Sequence, residues 1–312
     1  MYFAGIDVGG TNLKAGIVDE DFNLVCTASV PTNVGRDARK IIKDMADLVK
    51  TLAKDSDIAL TDITSIGIGI PGVAKNGVVV ALHNLFWQDV QLKSIFNEYL
   101  DIPVFIDNDA TVAAVYEYHL GVLAGCKVGV FLTLGTGVGG GIIINGKAFN
   151  GAHGLGGELG HIAVVPDGLQ CTCGNKGCLE VYASATALVR MGRRCVIERP
   201  DSMLGITADE DYHNVTAKMV IDVAKQGDRV AISIVDEYAK FLSIGITSII
   251  NTLDPEVIAL GGGVSHAGKY LLDKVIAACD EKGVFENQKY AEIKIAKSGN
   301  DAGIIGAAML TE

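Results

Sequence analysis

The chain has 312 residues, 49% of them hydrophobic and 20% charged. At about 150 residues per domain this suggests two domains, and the composition excludes wholesale disorder. Glycine is in excess, 38 of 312 residues beside only six prolines, where about 7% is usual; tight turns and close backbone approaches are the expected reason, not a collagen or a linker. The net charge of −11 is spread along the chain without a basic cluster, so a nucleic-acid partner would bind against the field and is not expected.

The chain opens without a secretion signal, Met1-Tyr2-Phe3-Ala4 running straight into Gly5-Ile6-Asp7. A cytoplasmic location is therefore expected. Residues 2–8 and 13–18 read as strands around a turn at Gly9-Gly10-Thr11-Asn12, and 23–30 as a third strand. Helical spacing of Ile41, Ile42, Met45, Leu48, Val49 and Leu52 marks a helix over 36–54. Strands at 63–70, 78–81 and 104–106 alternate with helices at 91–99 and 110–119. Gly121 and Gly125 then loosen the chain, which places a domain boundary near 120. The uncharged stretch 128–146 carries seven glycines and splits into strand, turn and strand, so neither a membrane span nor a membrane partner is expected. Further helices are expected at 182–194, 214–225, 229–252, 270–279 and 301–310, with strands at 257–260 and 292–296. Helices between strands imply a mixed or parallel sheet covered on both faces. Gly10-Thr11-x4-Gly16-Ile17-Val18 has the spacing of Gly135-Thr136-x4-Gly141-Ile142-Ile143, which suggests two related α/β halves.

Several clusters carry chemistry. Asp7 ends a strand ahead of Gly9 and Gly10, whose N–H groups can approach phosphate oxygens; Thr11 and Lys14 add a hydroxyl and a charge, and Asp7 can hold Mg2+ through water. The alternative is an ordinary hairpin turn. Gly135, Thr136 and Gly137 open a second glycine-rich loop of the same kind. Gly261-Gly262-Gly263 follows a buried strand and either admits a nucleotide base or ribose or simply turns the chain. Asp107-Asn108-Asp109 stands where a strand meets a helix: one of the two aspartates can simply cap the helix, and Asp109 is the expected base. Glu158 can grip a sugar hydroxyl pair. His161 can contact sugar, metal or both, and Cys171, Cys173 and Cys178 would supply the other ligands of a tetrahedral Cys3His site for structural Zn2+; redox thiols or chance spacing are the alternatives. Such a site would tie down the loops that carry Glu158 and Glu180. Cys26, Cys126, Cys195 and Cys279 fit no metal spacing and read as reduced thiols. Asn84 and Trp87 either line a sugar pocket or form a surface turn with the indole in the core.

Together these segments resemble the ROK family of bacterial sugar kinases and related repressors. The likeness runs through Asp7-Val8-Gly9-Gly10-Thr11, Gly69-Ile70-Pro71-Gly72, Asn108-Asp109-Ala110, the 135–141 loop and Gly157-Glu158-Leu159-Gly160-His161. It continues through 171–180 and Gly299-Asn300-Asp301-Ala302-Gly303-Ile304-Ile305-Gly306-Ala307-Ala308. The resemblance implies a two-lobed, actin-like ATPase (ribonuclease H-like) α/β fold with an interlobe cleft. The first lobe would take 1–119 with 298–312 returning to it, and the second 120–297, including the zinc loop 161–178. It implies transfer of the γ-phosphoryl group of ATP, with Mg2+, to the 6-hydroxyl of D-glucose; N-acetylglucosamine or N-acetylmannosamine is the alternative acceptor. Asp109 would be the base, and Asn84, Asn108, Glu158, His161 and Glu180 would hold the sugar. Asp7, Gly9, Gly10, Thr11 and Thr136 would surround phosphates. Homodimers or homotetramers are expected. Many relatives carry Asn in place of Thr111 and Pro in place of Gln91. Repressor members carry a DNA-binding domain ahead of the sugar lobes, and Asp7 stands too near the start of this chain for one; a regulator is disfavoured on that ground.

Overall fold

The structure, a computed structural model, describes residues 1–280, 291–299 and 301–310. Asn300 of the C-terminal motif, with Thr311 and Glu312 of the expected C-terminal return, lies outside the described residues. The described residues group into two units, one formed by Met1–Ala124, Gly141–Gly157 and the chain from Ser298, the other by Gly125–Gly140 and Glu158–Lys297.

The first unit opens with β1 (Tyr2–Val8), β2 (Asn12–Val18) and β3 (Leu24–Pro31), followed by α1 (Ala38–Asp55) and β4 (Ile63–Ile70). A small antiparallel sheet of β5 (Val73–Lys75), β6 (Val78–Leu82) and β7 (Trp87–Val90) comes next. After it come α2 (Leu92–Asn97), β8 (Val104–Asn108) and α3 (Asp109–Leu120). The main sheet has the order β3-β2-β1-β4-β8. β1 pairs antiparallel with β2 and parallel with β4, which pairs parallel with β8. Strand alternation decides what covers each face. Ala4, Ile6, Val8, Leu13, Ala15, Ile17, Ile66, Ile68 and Ile70 join the core formed with Ile41, Ile42, Met45 and Val49 of α1. The intervening positions Gly5, Gly16 and Gly67 face the closing helix α10 (Ala302–Ala308). A Cβ at Gly5 would lie 1.8 Å from the Ile304 carbonyl oxygen, and one at Gly67 1.7 Å from that of Ala307. The glycines on these strands thus let a helix backbone lie directly on the sheet.

The chain continues as β9 (Val128–Leu134), β10 (Val138–Ile144) and β11 (Lys147–Ala148), then α4 (Glu180–Ala183), α5 (Ala185–Glu198), α6 (Met203–Thr207), α7 (Ala217–Lys225) and α8 (Arg229–Leu253). β12 (Val257–Gly261), α9 (Lys269–Asp280) and β13 (Glu292–Ile295) complete the set ahead of α10. The second five-stranded sheet has the order β11-β10-β9-β12-β13, with β12 parallel to both neighbours. Ranked by chain order within each sheet, both read 3-2-1-4-5, and in both a glycine turn joins the first two strands. The repeat seen in sequence is therefore a repeat of topology, and the chain has the two-unit α/β fold of the actin-like ATPases. In the second unit, α8 supplies Tyr238, Leu242 and Ile246 to the core. The wholly buried Tyr238 hydroxyl donates to the Ala183 carbonyl at 2.8 Å.

Residues 141–157 group with the first unit rather than with 120–297. The reason is close packing on α3: a Cβ at Gly141 would lie 2.6 Å from Ala114 Cβ and 2.7 Å from the Ala110 carbonyl oxygen. The expected helix over 182–194 is instead two, separated at Ser184, whose side chain caps α5 by accepting the Ala187 N–H.

Candidate active site

In the first unit, the β1–β2 turn is held from behind by Thr32, which is fully buried. Its hydroxyl donates to the Gly9 carbonyl at 2.7 Å and its N–H to the Thr11 carbonyl at 2.9 Å. The Gly9 N–H donates to Asn12 O at 3.0 Å, and a Cβ at Gly9 would meet that oxygen at 2.8 Å. Thr11 and Lys14 are exposed. Asp7 sits opposite Lys14 in the β1–β2 register. Burial pushes its carboxyl up from the ordinary carboxylate value, and the Lys14 charge opposes that rise. Gly303 leaves room for this carboxyl, since a Cβ there would lie 3.2 Å from Asp7 Cγ.

Asn84 lies in a 3-10 turn beside the glycine pair, its amide nitrogen 4.0 Å from where a Gly10 Cβ would be. Of the two readings for Trp87, the core is the observed one: the indole is 5% exposed. The exposed aromatic neighbour is Phe86, in a left-handed backbone conformation.

At the β8–α3 junction the capping residue is Asn108. Its Oδ1 accepts the Ala110 N–H at 2.8 Å and its Nδ2 donates to Gly72 O at 3.1 Å. One donor and one lone pair of the amide remain for a substrate. Asp109 is the first residue of α3 and is exposed; its Oδ1 accepts the same Ala110 N–H at 2.8 Å. Asp107 turns inward. Its two oxygens accept the Asn108 N–H and the Asn150 Nδ2, both at 2.7 Å. Burial pushes the Asp107 carboxyl up, and hydrogen bonds from Asn150, Asn108 and Thr111 oppose that. Asn150 escapes sequence reading, because nothing near it announces a partner 43 residues away.

In the second unit the 135–137 turn rests on α4 and α5. Ala185 N–H donates to Gly135 O at 2.8 Å, and Thr186 Oγ1 to Thr136 O at 2.7 Å. Glu180 lies under the loop: its Oε2 accepts the Val138 N–H at 3.2 Å, and a Cβ at Gly137 would lie 2.0 Å from that oxygen. Its Oε1 accepts from Cys171 Sγ at 3.8 Å.

That thiol belongs to a four-residue group. One ligand atom each from His161, Cys171, Cys173 and Cys178 lies within 4.8 Å of all the others. Cys173 and Cys178 sulfurs are 3.7 Å apart, and Cys171 Sγ is 3.6 Å from His161 Nδ1. These are far beyond a disulfide bond of about 2.05 Å. They match the edge of a tetrahedron with zinc–sulfur bonds of about 2.3 Å, about 3.8 Å. Burial and the neighbouring thiols push the Cys178 thiol up to about 12, so an added cation is the natural way to hold the group deprotonated. The knuckle is backbone-built: Cys171 N–H donates to Asn175 O, Gly174 N–H to Cys171 O, and Gln170 Nε2 to the carbonyls of Cys171, Gly174 and Asn175. Gly177 is left-handed, and a Cβ there would lie 1.7 Å from Val165 O. The other imidazole nitrogen, His161 Nε2, faces Glu158 Oε2 at 3.8 Å. The two nitrogens of His161 thus have separate partners, and Glu158 is exposed.

Gly262, also left-handed, passes against the end of β9, where a Cβ would lie 2.6 Å from Leu134 N. Beyond it a cavity of about 320 Å3 opens between Gly263, Val264, His266 and Ala267 on one side and Ala185, Ala217, Lys218, Ile221, Asp222 and Lys225 on the other. The helix-side residues carry no sequence signal beyond helical spacing.

The model of the ROK family matches residues 3–312. A glucokinase from Halalkalibacterium halodurans is 38% identical over 315 residues, covering 100% of this chain and 95% of that protein. A xylose repressor from Caldicellulosiruptor bescii is 31% identical, covering 97% of this chain and 76% of that protein. Among solved structures, a ROK family glucokinase from Streptomyces griseus in complex with glucose and AMPPNP is 34% identical, with a TM-score of 0.81 over 99% of this chain and 98% of the other.

Proposed function

Because the chain belongs to the ROK family, we propose that it is an ATP-dependent glucokinase, moving the γ-phosphoryl group of ATP to the 6-hydroxyl of D-glucose. The observation that carries this reading is Asp109: an exposed carboxylate on the first turn of α3, where Asn108 performs the capping. The full-length likeness to a glucokinase solved with glucose and AMPPNP supports the substrates. Phosphoryl transfer is largely dissociative, so the base chiefly orients the hydroxyl and accepts a late proton. The Ala110 N–H fixes one oxygen of Asp109 for that task.

Asn84, Asn108, Glu158, His161 and Glu180 are assigned to sugar hydroxyls. The backbone N–H groups of Gly9 and Gly10, with Thr11, Lys14 and the Gly135-Thr136-Gly137 turn, are assigned to phosphates. Bound with ATP, Mg2+ supplies neutralisation of phosphate charge, and the buried carboxyl of Asp7 beside the glycine turn fits it. The cavity at Gly263 combines alanines, Ile221 and Val264 with Lys218, Lys225 and His266, a lining that fits a nucleoside donor. His161, Cys171, Cys173 and Cys178 fit a structural zinc ion, with all four positions taken by protein. The ion would keep Glu180 aligned through Cys171, and Glu158 through His161. A homodimer or homotetramer is proposed from the family alone.

A coupled ADP-release assay with glucose, mannose, fructose, N-acetylglucosamine and N-acetylmannosamine tests the reading. Turnover with glucose is expected, and Asp109→Asn should lower kcat at least about a hundredfold while glucose still binds. A preference above about tenfold, some 1.4 kcal/mol, for an N-acetylated sugar would move the acceptor assignment and leave the kinase standing. The likeness to the xylose repressor makes a sugar-responsive regulator the second reading. No turnover with any sugar, together with specific duplex-DNA binding, would put it first.

A further inference from the structure

Helix α3 carries one carboxylate that the proposed chemistry does not use. Glu117 is fully buried, an arrangement that costs stability unless its oxygens are hydrogen-bonded. Both are. Oε2 accepts the Val122 N–H at 2.8 Å and Oε1 the Ser298 N–H at 2.6 Å. The Glu117 carbonyl adds bonds from the N–H groups of Gly121 and Leu123, each at 3.0 Å. Gly121 makes room: a Cβ there would lie 1.9 Å from Oε2.

The two segments that this side chain grips are those by which the chain leaves and re-enters the first unit, after Ala124 and at Ser298. The next residue along each crossing is a glycine that nothing crowds. Gly125 has φ +78, and among the described residues no atom lies within 4 Å of where a Cβ would be at either Gly125 or Gly299. The outgoing crossing is therefore pinned on the first unit's side with an uncrowded glycine just beyond, whereas the returning one is pinned at Ser298, its first residue in the first unit, ahead of Gly299. A third crossing, at Gly141, packs on α3 itself against Ala110 and Ala114. The helix that presents Asp109 at its first residue thus anchors three chain crossings along its length.

We propose that Glu117 is a positioning residue for phosphoryl transfer: its carboxylate locks both crossings to the C-terminal end of α3, so that strain entering along them when substrates bind reaches Asp109 through a rigid helix. Twelve residues of helix span about 18 Å, and a hydrogen-bonded rod transmits displacement of one end to the other. This rests on the reading of Asp109 as the base.

Two variants test it. Glu117→Gln keeps the shape but sets an amide N–H against one of the two backbone N–H groups, releasing one crossing. Gly121→Ala keeps the carboxylate, but its Cβ would lie 1.9 Å from Oε2 and 2.7 Å from the Glu117 Cα, so it drives Oε2 off Val122 and shifts the turn as well. Should Glu117→Gln fail to fold, Gly121→Ala gives the same comparison. Glucose affinity is measured by calorimetry, and kcat is expressed per glucose-binding site at saturating ATP. The expected result is glucose affinity within about twofold of the parent and kcat at least tenfold lower. A lower Tm with unchanged kcat per site, or weaker glucose binding with unchanged kcat, would reduce Glu117 to a plug for the turn and overturn the proposal. Asp109→Asn separates the two readings. If that variant turns over, the base assignment has failed; if it is inactive while both other variants keep full kcat, only the positioning role has.

Discussion

Asp107 and Asp109 stand two residues apart on one strand–helix junction with opposite surroundings. Asp109 is exposed, whereas burial holds the Asp107 carboxyl above its ordinary value of 3.8. In the window just above 3.8 the native state then binds more protons than the unfolded chain, so stability falls as pH rises through it. Above that window Asp107 is charged, and the Asn150 amide is one of the groups that make the buried charge tolerable. Asn150→Ala should therefore destabilise by about 1–3 kcal/mol at about pH 7, and by clearly less at about pH 3, below the ordinary carboxylate value, where the protonated carboxyl no longer needs that donor. Denaturant titrations at the two pH values check this. An equal loss at both would assign Asn150 to loop packing alone.

At the scale of elements, α10 shows how glycine placement becomes architecture. Gly67→Ala would put a methyl 1.7 Å from the Ala307 carbonyl oxygen. Helix and sheet cannot both keep their places, and a loss of about 1–3 kcal/mol or more is expected, readable as a lower midpoint in urea. The glycine-bounded elements are also the ones legible in sequence: β1, β2, β9 and β10 announce themselves by apolar runs broken at Gly9-Gly10 and Gly135-Thr136-Gly137. The Cys/His group is legible for a similar reason, since 171–178 packs three of its four ligands and its turn glycines into eight residues. The elements that escape are short or interrupted. β5 and β7 have three and four residues, too few for alternation to register. The break between α4 and α5 hangs on the Ser184 cap within an apolar stretch. Glu117 and Asn150 were illegible for another reason: their partners lie far along the chain, and a carboxylate at helical spacing reads as a solvated face until Ser298 and Val122 are seen against it.

At the scale of the whole molecule, each unit has its own sheet and buried core, and the His161/Cys171/Cys173/Cys178 group lies entirely in the second. The loop it closes has little else to hold it. Of residues 169–178, only Cys171, Gly177 and Cys178 are buried, so backbone hydrogen bonds and the ligand group carry the structure. Protein purified without added metal should contain about one zinc per chain. Stripping it with a chelator removes binding energy that is also folding energy. A loss of about 3 kcal/mol corresponds to a Tm drop of roughly 6–12 °C for a unit of this size. Because the first unit contains no part of the group, hydrogen exchange in chelator should accelerate at amides of 162–183, which lean on the knuckle through Val164, Leu179 and Tyr182. Protection in β1 and β4 should persist. Glucose affinity should fall with it, since Glu180 and Glu158 lose the partners that orient them. Full protection of 162–183 and undiminished glucose binding in metal-free protein would show that the knuckle stands on its hydrogen bonds alone.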